Sequence, residues 1–174
     1  RPPRHAAPRQ TERQRAREEL QDEPQAEHHQ CRQGDDLEEG QIALEAQLKR
    51  RRDALLAPGN EAEVLARRIG RTIPLVYGGS GIGNVAASRW KTQVNENAKA
   101  PAFANTVPEL CHNEIAGWGQ HGDLTRQVFS LVQLRHEHEH PQVMKRFELV
   151  TRWTEEVMSG VHEVQAEGDG ALAQ

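Results

Sequence analysis

The sequence predicts a doubly wound α/β fold, in which a parallel β-sheet lies between two layers of helices. Two observations carry this prediction. Short apolar segments typical of strands alternate with helical patterns beyond residue 60, and the first such segment ends in glycines that open directly into a long polar helix. A third observation limits the core, because all seven aromatic residues lie from Tyr77 onward.

Residues 1–46 form a low-complexity segment that we predict to be a disordered or helical arm outside the main domain. Leu20 and Leu37 are the only large aliphatic residues in the first 40 positions, so this region cannot bury enough apolar surface to offset its ordering entropy. Leucines and isoleucines recur at helical intervals from Leu37 to Leu56 and predict one or two amphipathic helices. We assign residues 47–174 to a single α/β domain, which we expect to be incomplete at its C-terminus.

The first half of this domain is predicted in the order helix, strand, helix. "APGN" at 57–60 stops one helix and caps the next, which we place at 61–68, before Gly70. "TIPLVYGG" is a short apolar and β-branched run closed by glycines, which predicts a buried strand. Residues 82–99 then predict a helix, which Pro101 stops.

The second half repeats this alternation. "PAFANTVP" predicts a short strand, "ELCHNEIAGWG" one or two helical turns, and "VFSLVQL" at 128–134 a strong strand. Apolar residues at three- and four-residue intervals predict an amphipathic helix over 142–158, and "VHEVQAEG" alternates like a strand. The order implies parallel strands with right-handed crossovers, and ligands of such sheets bind beyond the carboxyl ends of the strands.

Composition excludes several classes of function. The formal net charge of −4 argues against a dedicated nucleic-acid surface, and the basic residues of the N-terminal arm are followed closely by acidic residues and glutamines. Cys31 and Cys111 form neither a disulfide framework nor a zinc motif. Without a membrane-length apolar stretch or a signal-peptide core, the sequence predicts a soluble cytoplasmic protein with no membrane partner.

The glycine loop "GGSGIGN" does not match the nucleotide-binding motifs. Counting from Gly79 the sixth position is Asn84, which breaks the dinucleotide fingerprint, and no Gly-Lys-Ser/Thr follows as a Walker loop requires. Two interpretations stay open. The loop is either a tight strand-to-helix turn or an anion site in which backbone N–H groups near Gly79 and Ser80 hold a phosphate or carboxylate.

Two further positions are candidates for chemistry. Arg89, Thr92, Glu96 and Lys99 are spaced 3, 4 and 3 apart, which places them on one stripe of the predicted helix. Glu96 is flanked by two asparagines that disfavour helix interiors, which suggests a function beyond a surface ion pair with Lys99. His112, in "CHNE", is a weaker candidate, since a single histidine beside a cysteine is more often structural.

The segment from Arg89 to Trp118 resembles the signature region of the bifunctional phosphoglucose/phosphomannose isomerases, a bacterial and archaeal family of the sugar-isomerase (SIS) superfamily. The similarity is most specific at "NENAK" and "HNEIAGW", runs from about residue 47 to the end, and is closest to the actinobacterial branch. It implies a SIS-type, flavodoxin-like three-layer sandwich, the second of two SIS subdomains, in a homodimer.

The resemblance also implies residue roles. Glu96 matches the family's catalytic base and His112 its ring-opening acid/base, which reaches the active site of the partner subunit. Substrates would be glucose or mannose 6-phosphate, converted to fructose 6-phosphate through a cis-enediol with no cofactor or metal. We also expect Gly79 and Ser80 of the loop, and Arg89 and Thr92 of the helix stripe, to bind the substrate.

Departures from the family leave an alternative function open. In the family, the phosphate pocket and an active-site arginine belong to the first subdomain, which residues 1–46 do not resemble. The C-terminal lysine that acts near the ring oxygen in the family would lie beyond Gln174. We therefore expect low activity from this chain, because remote phosphate binding positions the sugar. The alternative is a non-catalytic sugar-phosphate-binding SIS module or an inactive fragment. Residues 1–46 could also result from out-of-frame translation.

A metal site is the last alternative. His136, His138 and His140 recur at period two in "HEHEH", which on a strand would place three imidazoles on one side. Pro141 and the surrounding charges favour a solvated loop instead.

Overall fold

The computed structural model describes residues 25–168, with side chains from residue 39 onward. The chain divides into two units between Ala46 and Gln47. Helix α1 (Gln25–Leu55) crosses this boundary. The sequence predicted a disordered or helical arm for this region, and residues 25–40 are helical. Glutamate and glutamine, which favour helix, make up six of these sixteen residues. The predictions for residues 1–24 lie outside the described residues.

Helix α2 (Glu61–Ile69) begins where the sequence predicts and ends one residue later than predicted. The Asn60 side chain accepts a hydrogen bond from the backbone N–H of Glu63, which caps the first turn. Gly70 follows the last residue with a φ of 60°, a conformation that favours glycine. The exposed "APGN" turn therefore separates α1 from α2 as predicted.

The sheet contains four strands within the described part of the chain. They are β1 (Ile73–Gly79), β2 (Phe103–Val107), β3 (Phe129–Arg135) and β4 (Gly160–Gln165). Their order is β2-β1-β3-β4, and every pairing is parallel. This arrangement confirms the predicted doubly wound α/β sheet. The same order occurs in flavodoxin-like folds, where ligands bind at the switch point between β1 and β3.

Helices connect the strands on both faces. The connections contain α3 (Ile82–Gln93), a π-helix (Val94–Ala98), a 3₁₀ helix (Glu109–His112), α4 (Glu114–Gly117), α5 (Gly122–Val128) and α6 (Pro141–Thr154). Two predicted boundaries were wrong. The helix predicted over 82–99 is α-helical only to Gln93, and the one predicted over 142–158 ends at Thr154.

Two apolar clusters fill the space between the sheet and its helices. On one face Phe147 and Val150 of α6 pack against Leu75, Tyr77 and Leu131. On the other, Ala87 of α3 packs against Val76, Val132 and Leu134. The strand residues alternate between the two faces, and both faces are covered, as expected for a parallel sheet.

None of the described helices combines the length and apolar character that crossing a bilayer requires.

Candidate functional site

The glycine loop joins β1 to α3 at the carboxyl edge of the sheet. A Cβ added at Gly78 would lie 1.9 Å from the backbone oxygen of Gly83, so only glycine allows the start of α3 to approach the strand this closely. Gly81 has a φ of 77°, which also favours glycine. The tight-turn interpretation therefore accounts for two of the glycines.

The two loop residues predicted to bind substrate lie at this same edge. Gly79 is buried, and a Cβ there would lie 3.1 Å from Val143 and 3.6 Å from the carboxylate of Glu139. Ser80 is exposed and its hydroxyl donates a hydrogen bond to the Val107 carbonyl at 3.2 Å. That bond links the end of β1 to the end of β2.

Arg89 and Thr92 lie on α3 and make local contacts. The Thr92 hydroxyl donates to the Ser88 carbonyl one turn earlier, at 3.0 Å. Arg89 is exposed, and its guanidinium donates to the side-chain amide oxygen of Gln93 at 2.8 Å. Both side chains therefore belong to the outer, solvent-facing part of the helix.

Glu96 lies on the π-helix that continues α3. This segment is short and ends at Lys99, which adopts a left-handed conformation with a φ of 55°. The Asn95 side chain donates to the Ala100 carbonyl at 2.9 Å, which explains one of the two asparagines as an end cap. Glu96 is exposed, and its carboxylate makes no hydrogen bond or ion pair within residues 39–168. π-helical turns are frequent at functional sites.

His112 ends the 3₁₀ helix that follows β2. A cis peptide bond joins Val107 to Pro108, where the chain leaves the strand. The His112 side chain is exposed and, in the described part of the chain, has no hydrogen-bonding partner. It is therefore available to contact a molecule outside this chain.

The structure does not bring Glu96 and His112 together. Glu96 precedes β2 and His112 follows it, and the five residues of β2 span about 13 Å at roughly 3.3 Å per residue. Gly79 and Ser80 share the carboxyl edge with His112. Helix α3 runs back from that edge, so the stripe from Arg89 to Glu96 leads to the opposite edge.

A polar network beneath His112 was missed by the sequence analysis. The Tyr77 hydroxyl donates to Glu114, and the Asn105 amide donates to the other oxygen of that carboxylate at 2.5 Å. The Trp118 indole N–H donates to the Tyr77 hydroxyl at 3.2 Å. Burial raises the pKa of Tyr77, and Glu114 raises it further. A tyrosine inside an otherwise apolar strand was the available signal.

A second network fixes the end of β3. Arg135 pairs with Glu139 at 2.8 Å and Glu163 at 2.9 Å, and its guanidinium lies 4.5 Å from the ring centre of Phe147. The Glu139 side chain is only 1% exposed, so this pair is buried beneath the loop at Gly79. In the sequence, the segment "RHEHEH", which contains Glu139, was interpreted only as a solvated loop, so this buried ion pair was not predicted.

The three histidines of "HEHEH" do not lie on a strand. They follow the end of β3 in a loop, and the His140 side chain caps α6 by accepting from the backbone N–H of Gln142. Across the described residues no group of three His, Cys, Asp or Glu side chains is arranged to hold a metal ion. The strand geometry on which the metal alternative depended is therefore not present.

Comparisons with known proteins agree on one family. The sequence model of the bacterial phospho-glucose isomerase C-terminal SIS domain matches residues 59–174. Bifunctional phosphoglucose/phosphomannose isomerases from Caldicellulosiruptor bescii and Aquifex aeolicus are each 34% identical, over 66% and 78% of this chain. They are matched over 34% and 39% of their own lengths, so the chain spans little more than a third of these relatives.

A relative of different name shares a shorter stretch of the chain. The D-glucosamine-6-phosphate 4-epimerase of Sulfolobus acidocaldarius is 45% identical over 51 residues, which are 29% of this chain and 16% of that protein. No solved structure matches the chain.

Proposed function

The chain belongs to the bacterial phospho-glucose isomerase C-terminal SIS domain family, and on this premise we propose that it supplies the carboxylate base of an aldose–ketose isomerase acting on hexose 6-phosphates. The substrates would be glucose 6-phosphate or mannose 6-phosphate, and the product fructose 6-phosphate. The names of the two longest-matching relatives support this substrate class.

The reaction suits the residues proposed for it. A base removes the proton from C2 of the open-chain aldose and returns it to C1 through a cis-enediol, which one carboxylate performs without a metal. Glu96 takes this role. The cyclic sugar must first open, and an imidazole exchanges protons near neutral pH, so His112 takes the ring-opening role.

One observation carries the proposal. Glu96 and His112 are both exposed and make no hydrogen bond within the described part of the chain, whereas Glu114 and Glu139, carboxylates of the two polar networks described above, are engaged. A catalytic base must be free to contact substrate, and these two side chains meet that requirement.

The separation of the two residues supports a site made by two chains. Because β2 lies between Glu96 and His112, one chain alone would have to bridge both edges of its sheet to use them on one sugar. A second copy can present its own His112 beside Glu96. We therefore include a homodimer in the proposal.

Substrate contacts complete the proposal. Ser80 and the backbone of Gly79 lie on the edge that carries His112, while Arg89 and Thr92 approach Glu96 along α3. We propose that these four residues bind the sugar phosphate from the two edges.

Proton exchange tests the role of Glu96 directly. Glucose 6-phosphate is incubated with the chain in D₂O, and exchange at C2 and conversion to fructose 6-phosphate are followed by NMR. We expect both signals from the wild-type chain and at least a hundredfold loss in Glu96→Gln, as for removal of a general base. Glu156→Gln, an exposed glutamate beyond the end of α6, is the matched control and should retain the activity.

The alternative function makes a different prediction. A non-catalytic sugar-phosphate-binding module is favoured by the fact that the chain spans about a third of its relatives. A folded chain that binds fructose 6-phosphate in calorimetry but shows no exchange at C2 would support that alternative. Equal exchange in wild-type and Glu96→Gln would instead refute Glu96 as the base.

A further inference from the structure

A cavity of about 280 Å³ lies on the α3 face of the sheet, beyond the carboxyl ends of β3 and β4. None of the residues proposed for isomerisation lines it. Its volume is just below the range of about 300–1,000 Å³ of most ligand pockets, and its lining is more apolar than polar. The apolar walls come from four elements and include Leu48, Ile82, Ala86, Trp90, Leu134 and Val164.

Among the polar side chains that line the cavity, His136 is the one whose polar atoms are buried without a partner in the described part of the chain. Both ring nitrogens are buried, and neither has a hydrogen-bond partner among the described residues. The ring lies against the start of α3, where a Cβ at Gly83 would be 3.8 Å from its Cδ2. Buried polar atoms without partners carry a free-energy cost that a ligand hydrogen bond would remove.

The charges around the cavity disfavour an anion. Arg51 pairs with Glu61 at 2.5 Å and Glu167 at 3.2 Å. Arg135, the other arginine of the lining, faces Glu139 and Glu163. Each cation is thus matched by two carboxylates, and Glu167 itself lines the cavity and would repel a phosphate or carboxylate.

We propose that this cavity binds a small uncharged aromatic ring that carries one hydroxyl or ring N–H group. The ring packs against Trp90 and the aliphatic walls, because aromatic pairs gain free energy beyond the area they bury. The polar group forms a hydrogen bond with His136 after the imidazole turns so that one of its buried nitrogens faces the cavity. This site is separate from the sugar-phosphate site and does not depend on the isomerase proposal.

Phenol and toluene form a matched pair of probes, since they share a shape and differ by one hydroxyl. The indole N–H resonance of Trp90 is followed by ¹⁵N NMR while each compound is added to the chain. We expect both compounds to shift it, with phenol binding about fivefold more tightly because of one additional hydrogen bond. The absence of any saturable shift with phenol would overturn the proposal.

Two variants locate the binding. His136→Phe should lose the preference for phenol and bind toluene at least as tightly, because it keeps the ring but leaves the phenol hydroxyl without a partner. Ala86→Leu places extra volume in the cavity and should abolish binding, whereas Val85→Leu, at the adjacent and 70% exposed position, should not. Should Ala86→Leu fail to fold, the His136→Phe result decides. A fivefold preference for phenol that survives in His136→Phe refutes the site.

Discussion

The Tyr77 hydroxyl lies between two side chains that come from the segment carrying His112. It donates to Glu114 and accepts from Trp118, while Asn105 holds the other oxygen of Glu114. Tyr77 belongs to β1, Asn105 to β2, and the other two to the connection after β2. These bonds fix the connection on the sheet, so they set the position from which His112 faces outward.

The first prediction concerns the pH dependence that this buried tyrosine imposes. The folded pKa of Tyr77 is raised above the unfolded value of about 10, so its stabilising effect is complete below pH 10 and is lost as the pH rises. We expect the wild-type chain to lose about 1.4 kcal/mol more unfolding free energy than Tyr77→Phe between pH 8 and pH 11. Urea denaturation at the two pH values measures this difference.

Absorbance provides an independent check. Tyr77 is the one tyrosine of the sequence, so the ultraviolet band of phenolate reports on it alone. The folded chain at pH 11 should show no phenolate, and the band should appear on unfolding. Ionisation of Tyr77 in the folded chain near pH 10 would contradict the burial argument.

Individual residues were predictable where their role is local. Asn60 and Gly70 were placed from sequence because capping depends on neighbours in the chain. Tyr77, Asn105 and Glu114 were not, because their contacts join positions up to 37 residues apart. The roles of Glu96 and His112 stay predictions, since they depend on a substrate and a second chain.

At the scale of elements, the close packing of α3 on β1 determines the conformation of the glycine loop that joins them. The start of α3 approaches the strand so closely that Gly78 faces the Gly83 carbonyl. The helix thereby presents its first turn to the carboxyl edge of the sheet, next to the switch point. The same approach creates the cavity wall formed by Ile82.

The second prediction tests this close approach. In Gly78→Ala the added Cβ would lie 1.9 Å from the Gly83 oxygen, a backbone atom that moves only if α3 shifts. We expect a loss of about 3 kcal/mol in the free energy of unfolding, the cost of overpacking a tight contact. Thermal and urea unfolding provide the measurement.

Gly117→Ala is the matched control for that substitution. Its added Cβ has no atom within 4 Å and it lies in α4, so the change should be within about 1 kcal/mol. Equal stability of the Gly78→Ala and wild-type chains would show that the loop is looser than the structure has it, and would favour an anion-binding role for its glycines.

The end of α3 shows where element prediction fails. The sequence predicted a helix over 82–99, stopped by Pro101, but the α-helix ends at Gln93 and a π-helix follows to Ala98. Such a prediction detects helical character but not the hydrogen-bond register that separates an α-helix from a π-helix. The predicted stripe of Arg89, Thr92, Glu96 and Lys99 assumed a continuous α-helix, so its last two members are displaced.

At the scale of the whole molecule, the parallel, doubly wound sheet was predicted from the sequence and is confirmed in the structure, whereas the order of its strands was not predicted. Alternating strands and helices restrict a chain to parallel strands with crossovers, and the segments predicted as a buried strand and as a strong strand became the central pair β1 and β3. For residues 25–40 the sequence left both a disordered and a helical arm open, because this stretch lacks the apolar period that would decide between them, and in the structure it is helical.

The same topology puts Glu96 and His112 at opposite edges of the sheet, which has a consequence for assembly. If each active site takes Glu96 from one chain and His112 from another, two differently inactivated chains can restore each other. If a single chain provided both residues, mixing would restore nothing. The architecture of the proposed site is therefore testable without a ligand-bound structure.

The third prediction uses this complementation. Glu96→Gln and His112→Gln are unfolded together in equal amounts, refolded, and assayed for fructose 6-phosphate formation. Each variant alone should be inactive. In the mixture, random pairing puts one copy of each variant in about half of the dimers. Each of these dimers holds one intact site out of two, which gives about a quarter of wild-type activity. Wild-type chain refolded with the double variant is the control. It should also retain about a quarter, because mixed dimers then hold no intact site, whereas a site within one chain predicts about half. An inactive mixture of single variants together with a half-active control would place both residues in one chain and refute the shared site.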